Sequence, residues 1–146
     1  MPTYAIHTSI GIAADAQRVW EVLKDFDRYP EWNPCIISIT GDRTIGSLLS
    51  ISVNPAYSFT RGFKAKLMEY SKERGIVWIG RLPIPHMFAG THSLEILPSP
   101  SGVTFVQHEE FSGILLPLLK RALERRTKKG YEEMDRALKA RSEKVD

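Results

Sequence analysis

Three polar side chains, two of them suited to proton transfer, fall on the apolar faces of two neighbouring segments that alternate in polarity. His92 lies on the apolar face of residues 90–97, and Gln107 and Glu109 lie on the apolar face of residues 103–111. Alternate side chains of a strand point to opposite faces of a sheet, so both segments are predicted strands with these groups turned inward. A hairpin between the two strands would bring the three side chains close together.

This polar cluster permits two interpretations. Burial raises the pKa of a carboxylic acid and an imidazole exchanges protons near neutral pH, so Glu109 and His92 could act as general acid and base. The same groups could instead form a satisfied hydrogen-bond network that anchors the last helix or a ligand hydroxyl. The residue types alone leave both interpretations open.

The sequence lacks the residue motifs that other common catalytic mechanisms require. The chain contains no G-x-S-x-G, P-loop, G-x-G-x-x-G or H-E-x-x-H motif. Its four histidines show no spacing typical of a metal site, and Cys35 has no evident activating base that would make it a nucleophile. We therefore expect neither a metal nor a cofactor.

The composition is that of one folded domain. The chain has 146 residues, of which 42% are hydrophobic and 25% charged, and we expect a single domain over residues 1–146. Its only cysteine, Cys35, excludes an intrachain disulfide. No charged leader precedes a long apolar run, and no apolar stretch approaches the ~20 residues that span a bilayer. These features predict a cytoplasmic protein.

The small net charge of +3 is concentrated at one end of the chain. Residues 120–146 contain ten Lys or Arg and six Asp or Glu, so they carry +4 and the rest carries −1. A helix face of mixed charge explains this excess, and contact with anionic lipid or nucleic acid is the alternative. We expect no nucleic-acid partner, and membrane contact is not favoured.

The first part of the chain predicts a strand followed by helices. Residues 3–12 alternate as a strand does, and Asp15 is placed to cap a helix with apolar residues every three or four positions. Pro30 is expected to end that helix. Only one short helix or turn fits between Pro30 and Pro34, because each proline disfavours the helical conformation of the residue before it.

Six further strands and a long helix complete the pattern. The strands are predicted at residues 35–40, 47–53, 61–70, 75–81, 87–97 and 102–113. From Leu115 the spacing becomes helical and predicts a C-terminal helix of about 25 residues, weakened near Gly130. One face of a curved sheet needs cover, so we predict an α+β fold in which seven antiparallel strands wrap around this helix. Two short helices follow the first strand.

Three stretches carry a family resemblance: VWEVLKDFDRYPEWNP (19–34), GTHSLEI (90–96) and TFVQHEEFSGIL (104–115). With the order of elements, they resemble the START-like, Bet v 1-like (SRPBCC) superfamily, and within it the polyketide cyclase/dehydrase-type members. The resemblance covers nearly the whole chain and implies a helix-grip fold with a deep apolar cavity between sheet and C-terminal helix. It also implies that Tyr29 and Trp32 form an elbow between the two short helices, which either closes the cavity or plugs a corner.

Apolar residues in three loops predict the mouth of this cavity. Meander topology gathers residues 54–60, 81–86 and 114–117 at one end of the sheet, and they carry large apolar side chains where loops are usually polar. Packing of loops on the helix, or a dimer contact, would also explain them. The expected ligand contacts are Trp32, Tyr57, Phe59, Phe63, Trp78, Arg81, Leu82, Ile84, His86, Phe88, Leu94, Phe105, Gln107, Phe111, Leu115, Leu119 and Leu123.

Three functions are compatible with these features. The leading hypothesis is binding of a small hydrophobic molecule (polyketide-like, aromatic, isoprenoid or lipid), with affinity from apolar burial at about 25 cal/mol per Å². The second is a cyclase or dehydratase in which His92 and Glu109 move protons. The third is lipid transfer at a membrane surface through the apolar loops and the basic final helix. The sequence specifies neither the ligand nor the oligomeric state.

Overall fold

The computed structural model describes residues 3–144, and its elements follow the predicted order. The strands are β1 (Thr3–Ile12), β2 (Ile36–Thr40), β3 (Leu48–Val53), β4 (Gly62–Ser71), β5 (Gly75–Arg81), β6 (Ala89–Ser99) and β7 (Gly102–Ser112). The helices are α1 (Ala16–Lys24), α2 (Tyr29–Trp32), α3 (Leu116–Ala122) and α4 (Lys128–Glu143). A 3₁₀ turn covers Phe26–Arg28, and a π-helical turn at Leu123–Thr127 joins α3 to α4.

All seven strands form one antiparallel sheet in the order β1-β7-β6-β5-β4-β3-β2. Strands β2 to β7 meander, and β1 pairs with the last strand so that Thr3 lies opposite Ser112 and Ile12 opposite Val103. The helix formed by α3, the π-helical turn and α4 is 28 residues long. The predicted α+β helix-grip fold is confirmed. None of the helices among residues 3–144 is long and apolar enough to cross a membrane.

Helix α1 begins where its sequence predicts but ends earlier. The Asp15 carboxylate accepts a hydrogen bond from the Arg18 amide at 2.8 Å, which satisfies one of the unpaired donors of the first turn. The helix ends at Lys24, so the prediction that Pro30 ends it is wrong. Pro30 lies in the first turn of α2. Backbone N–H groups in the first turn of a helix have no helical acceptor, so proline, which lacks this group, is tolerated there.

Tyr29 and Trp32 build the corner between α1 and β2. Tyr29 is fully buried, and its hydroxyl donates to the Leu23 carbonyl at 2.6 Å. Its ring meets the Trp32 ring edge-on, with centroids 5.0 Å apart. Trp32 borders a groove on the outer surface with Arg18 and Arg141. The pair therefore plugs the corner and leaves the interior to other residues.

The C-terminal helix crosses the concave face of the sheet and is unbroken at Gly130. A Cβ on Gly130 would lie 2.6 Å from the Cβ of Tyr57 and 2.9 Å from the Sγ of Cys35, so only glycine permits this close approach. The helix continues through this residue, because tertiary packing compensates for the low helix propensity of glycine. The irregularity lies earlier, at the π-helical turn.

Candidate functional site

A cavity of about 100 Å³ lies between the concave face of the sheet and the C-terminal helix. Aromatic rings from several elements form much of its wall; the Phe88 and Phe111 rings stack with centroids 5.6 Å apart. The residues of the sequence prediction that line it are Tyr57, Phe59, Phe63, Trp78, Arg81, Leu82, Phe88, His92, Glu109, Phe111 and Leu123.

The other residues in that prediction do not line the cavity. Leu94 and Phe105 are buried in the core farther along their strands. Gln107 lies behind His92, to which it is hydrogen-bonded. Five more lie on the corner, the mouth loops or α3, namely Trp32, Ile84, His86, Leu115 and Leu119.

The inner end of the cavity is polar. Because β6 and β7 pair with His92 directly opposite Glu109, the two side chains meet, with His92 Nδ1 3.6 Å from Glu109 Oε1. The Tyr131 hydroxyl of α4 donates to the same carboxylate oxygen. The Tyr131 ring stacks on the His92 imidazole with centroids 4.6 Å apart. A carboxyl, an imidazole and a phenol therefore share one end of an apolar chamber.

A chain of hydrogen bonds fixes the orientation of the His92 ring. The Gln107 side-chain amide donates to Asp135 Oδ1 at 2.7 Å and to the Tyr131 carbonyl at 3.1 Å, so its Oε1 is the atom that faces His92. That oxygen lies 2.9 Å from His92 Nε2, which must carry the proton because the oxygen only accepts. The lone pair of Nδ1 is therefore left facing Glu109.

Burial sets the charges of this cluster. Desolvation lowers the pKa of His92 to about 4, although the Gln107 hydrogen bond acts in the opposite direction. Desolvation raises the pKa of Glu109 to about 7, against the hydrogen bond from Tyr131. At neutral pH the imidazole is neutral, so the close approach of His92 and Glu109 is no ion pair. Glu109 is then the group able to gain or lose a proton near neutral pH.

Gly90 provides the space for the Glu109 carboxyl. A Cβ on Gly90 would lie 2.2 Å from Glu109 Oε2 and 3.1 Å from Phe111 Cδ1. Any larger residue would push the carboxylate away from Tyr131. The glycine at the second residue of β6 is therefore part of the site's architecture.

The mouth is held by backbone contacts to the C-terminal helix. Arg126 donates to the carbonyls of Pro55, Ala56 and Ser58, and the Thr127 hydroxyl donates to the Tyr57 carbonyl at 3.2 Å. Both residues lie in the π-helical turn. This turn therefore fastens the loop that carries Tyr57 and Phe59 over the cavity.

The volume limits what the cavity can hold in this conformation. A water molecule takes about 30 Å³, and an apolar cavity of about 150 Å³ holds benzene. Pockets for drug-sized ligands measure about 300–1,000 Å³. A space of about 100 Å³ accepts only a few non-hydrogen atoms, so a larger guest must extend into the mouth or displace its loops.

Sequence reasoning missed Tyr131 and Asp135. Both lie on the buried face of α4, four residues apart and in register with Leu138. Polar residues on the buried stripe of an amphipathic helix are unusual unless they are paired, and this was the available signal. Their partners lie 22 and 28 residues away in the sequence, so the pairing itself was not readable.

Other groups in the described part of the chain are less suited to catalysis. Desolvation raises the pKa of the buried Cys35 thiol to about 12, which keeps it protonated and poorly nucleophilic. Within residues 3–144, no group of three or more His, Cys, Asp or Glu side chains could hold a metal ion.

A family model described as polyketide cyclase/dehydrase and lipid transport matches residues 3–143. The chain belongs to this family. The START-like, Bet v 1-like superfamily expected from the sequence is thereby confirmed. None of the curated proteins compared matches the chain.

Solved structures share the fold of this family member at low sequence identity. The di-domain aromatase/cyclase StfQ of the steffimycin pathway has a TM-score of 0.78 at 14% identity, over 97% of this chain and 51% of that one. This chain thus spans about half of the di-domain protein. The Zhui aromatase/cyclase from Streptomyces sp. R1128 has a TM-score of 0.77 at 14% identity, over 97% and 94% of the two chains. Norcoclaurine synthase from Thalictrum flavum has a TM-score of 0.73 at 17% identity, over 99% and 90%.

Proposed function

We propose that this family member binds a small, mainly apolar molecule and orients it through one polar group placed against Glu109 and Tyr131. The observation that carries the proposal is the asymmetry of the cavity, which has a mainly apolar wall and a buried polar cluster at its inner end. Apolar burial supplies affinity, and a few well-placed polar groups supply orientation.

The chemistry of the wall favours an aromatic ring that carries an oxygen substituent. Trp78, Phe88 and Phe111 offer ring faces and edges to such a guest. Protonated Glu109 can donate to a carbonyl, and ionised Glu109 can accept from a hydroxyl. The similar norcoclaurine synthase was solved in complex with dopamine and hydroxybenzaldehyde, which are small aromatic molecules.

Titration calorimetry with hydroxybenzaldehyde as the probe tests this proposal. Leu123→Trp fills the cavity from the helix, whereas Leu118→Trp adds the same ring to an exposed position of that helix. We expect wild type and Leu118→Trp to bind alike and Leu123→Trp to bind at least about tenfold more weakly. Equal binding by both variants, or no heat with wild type at any accessible concentration, contradicts the proposal.

The role of the polar end is tested with neighbouring carboxylates. Glu109→Gln alters the inward group, and Glu110→Gln alters the next residue, which faces outward and is exposed. We expect only Glu109→Gln to change probe affinity, by about tenfold, the size of one charge-assisted hydrogen bond. Identical affinities of the two variants would show that Glu109 does not orient the probe.

Acid–base catalysis is a second candidate because Glu109 titrates near neutral pH beside the Tyr131 hydroxyl. With an aryl ketone in the cavity, ionised Glu109 would take a proton from the carbon next to the carbonyl. The C–H electron pair would form the enolate, whose oxygen would accept a hydrogen bond from Tyr131. Exchange of the Glu109 proton with solvent water, followed by its return to carbon, completes a hydrogen exchange that needs no reactant besides water.

Hydrogen exchange of 4-hydroxyacetophenone in D₂O, followed by NMR, tests this step. We expect wild type and Glu110→Gln to accelerate loss of the methyl proton signal and Glu109→Gln not to do so. The wild-type rate should rise with pH through about 7 as the base ionises. A wild-type rate equal to that of buffer leaves the protein a binder alone.

A further inference from the structure

The outer face of the sheet, which points away from the cavity, carries a pair of histidines. His7 of β1 lies directly opposite His108 of β7, and their rings meet edge-on with centroids 6.0 Å apart and planes at 66°. Their strand neighbours Ile6, Thr8 and Gln107 are buried, so the alternation of a strand turns both imidazoles outward. His7 is exposed and His108 is half-buried. Both rings are therefore accessible to a ligand from solvent.

The strands around this pair form an electronegative surface. β1, β6 and β7 contain no Lys or Arg over their described ranges, although the chain has 20 such residues. Glu110 follows His108 by two positions and so shares its outward face, and Glu95 of β6 points outward as well. Both carboxylates are exposed. A cation that approaches the histidine pair is therefore attracted by two carboxylates and repelled by no side chain of these three strands.

Two adjacent imidazoles can chelate a transition-metal ion. Imidazole nitrogen is a preferred ligand of copper, nickel and zinc, whereas magnesium and calcium prefer oxygen. Because each metal–nitrogen bond measures about 2 Å, two imidazoles bound to one ion have their centroids about 4.5–5.5 Å apart. The 6.0 Å between the rings of His7 and His108 closes to this range by about 1 Å of movement through the side-chain torsions. The exposed side chain of His7 has room to make this movement.

We propose that His7 and His108 chelate a divalent transition-metal ion on the outer face of the sheet, with copper(II) held more tightly than nickel(II) or zinc(II). Within residues 3–144 no third His, Cys, Asp or Glu joins the pair, so water completes the coordination. β1 lies at one edge of the sheet beside β7, so the ion fastens this edge strand to its neighbour and stabilises the folded chain. The two histidines meet only through the pairing of the first strand with the last, so their spacing along the chain gives no sign of the site.

Calorimetric titration of the untagged full chain with copper(II), nickel(II), zinc(II) and magnesium chloride tests the proposal. We expect one copper(II) ion per chain, weaker binding of nickel(II) and zinc(II), and no binding of magnesium. His7→Asn and His108→Asn should each weaken copper(II) binding at least about tenfold, because a single imidazole cannot chelate. His86→Asn changes another exposed histidine, whose φ of 65° asparagine tolerates, and should bind copper(II) like wild type.

Thermal denaturation of the same four proteins provides a second measurement. Without metal they should melt alike, which shows that each variant is folded. Added copper(II) should raise the melting temperature of wild type and His86→Asn and leave that of His7→Asn and His108→Asn unchanged. The proposal is overturned if wild type binds no copper(II), if binding survives either substitution in the pair, or if His86→Asn weakens binding as much as they do.

Discussion

The two ends of the cavity are built on different principles. At the inner end, His92, Gln107, Glu109 and Tyr131 lie on regular strands and a helix, and each is hydrogen-bonded to another member of the cluster or to Asp135. At the mouth, loops carry apolar side chains, and their polar links to the helix are backbone carbonyls held by exposed Arg126. The inner end is therefore rigid and sensitive to change, and the mouth is deformable.

Breaking the inner network should cost far more stability than releasing the mouth. Gln107→Leu keeps the volume but leaves the His92 Nε2–H, the Asp135 carboxylate and the Tyr131 carbonyl without their buried partner. We expect a loss of about 4 kcal/mol in the free energy of unfolding, because each buried unsatisfied group costs about 1–3 kcal/mol. Urea denaturation measures this loss.

Arg126→Met is the matched change at the mouth. It removes several hydrogen bonds, but the released carbonyls lie near the surface and return to water. We expect a cost of about 1 kcal/mol or less. If Arg126→Met cost as much as Gln107→Leu, the distinction between a rigid and a deformable end would fail.

The pH dependence of stability depends on the titration of two buried groups, Glu109 and His92. Its pKa is raised from 4.5 to about 7, so its stabilising contribution is complete below pH 4.5 and is lost as the pH rises through 7. The pKa of His92 is lowered from 6.5 to about 4, so its contribution is present above pH 6.5 and is lost as the pH falls through 4. The two effects oppose each other over most of this range, which should leave wild type with a flat profile.

Comparison with Glu109→Gln removes one of these opposing effects. The stability of wild type relative to Glu109→Gln should fall by about 3 kcal/mol between about pH 4.5 and pH 8, because the Glu109 pKa rises from 4.5 to about 7 on folding and each pH unit between these values is worth about 1.4 kcal/mol. Glu110→Gln, on the exposed outer face of β7, controls for the change in net charge. A constant difference between wild type and Glu109→Gln across this range would contradict the assignment of the titrating group.

Strand periodicity was enough to predict the strand side of the inner cluster. His92, Gln107 and Glu109 fall on one face because side chains alternate with a period of two, and the short turn at 98–102 fixes the register of β6 against β7. The residue that α4 contributes to this cluster was not predictable. Tyr131 meets Glu109 only because the π-helical turn and the close approach at Gly130 set how α4 lies on the sheet.

The mouth was predictable in position but not in detail. Topology gathers the three loops at one end, and the backbone bond from the Ile114 amide to the His86 carbonyl confirms that two of them meet. Which apolar side chains turn inward depends on loop conformation, which no periodicity encodes. Leu82 accordingly lines the cavity while Ile84, two residues on, is exposed.

Glycine-to-alanine substitutions compare the two ends with the smallest possible probe, one methyl group. At Gly90 the new Cβ would meet Glu109 Oε2 at 2.2 Å, and at Gly80 it would meet Phe63 Cδ2 at 2.9 Å. At Gly11 it would meet nothing within 4 Å, which provides the baseline.

We expect Gly11→Ala to be neutral or slightly stabilising, by up to about 1 kcal/mol, because alanine reduces the entropy of the unfolded chain. Gly90→Ala should cost about 2 kcal/mol, since the Glu109 carboxyl is held by Tyr131 and cannot retreat without losing that bond. Gly80→Ala should cost less than about 1 kcal/mol because half-buried Phe63 can turn toward the mouth. Thermal denaturation ranks the three variants, and equal costs at Gly80 and Gly90 would show that the mouth is as tightly packed as the inner end.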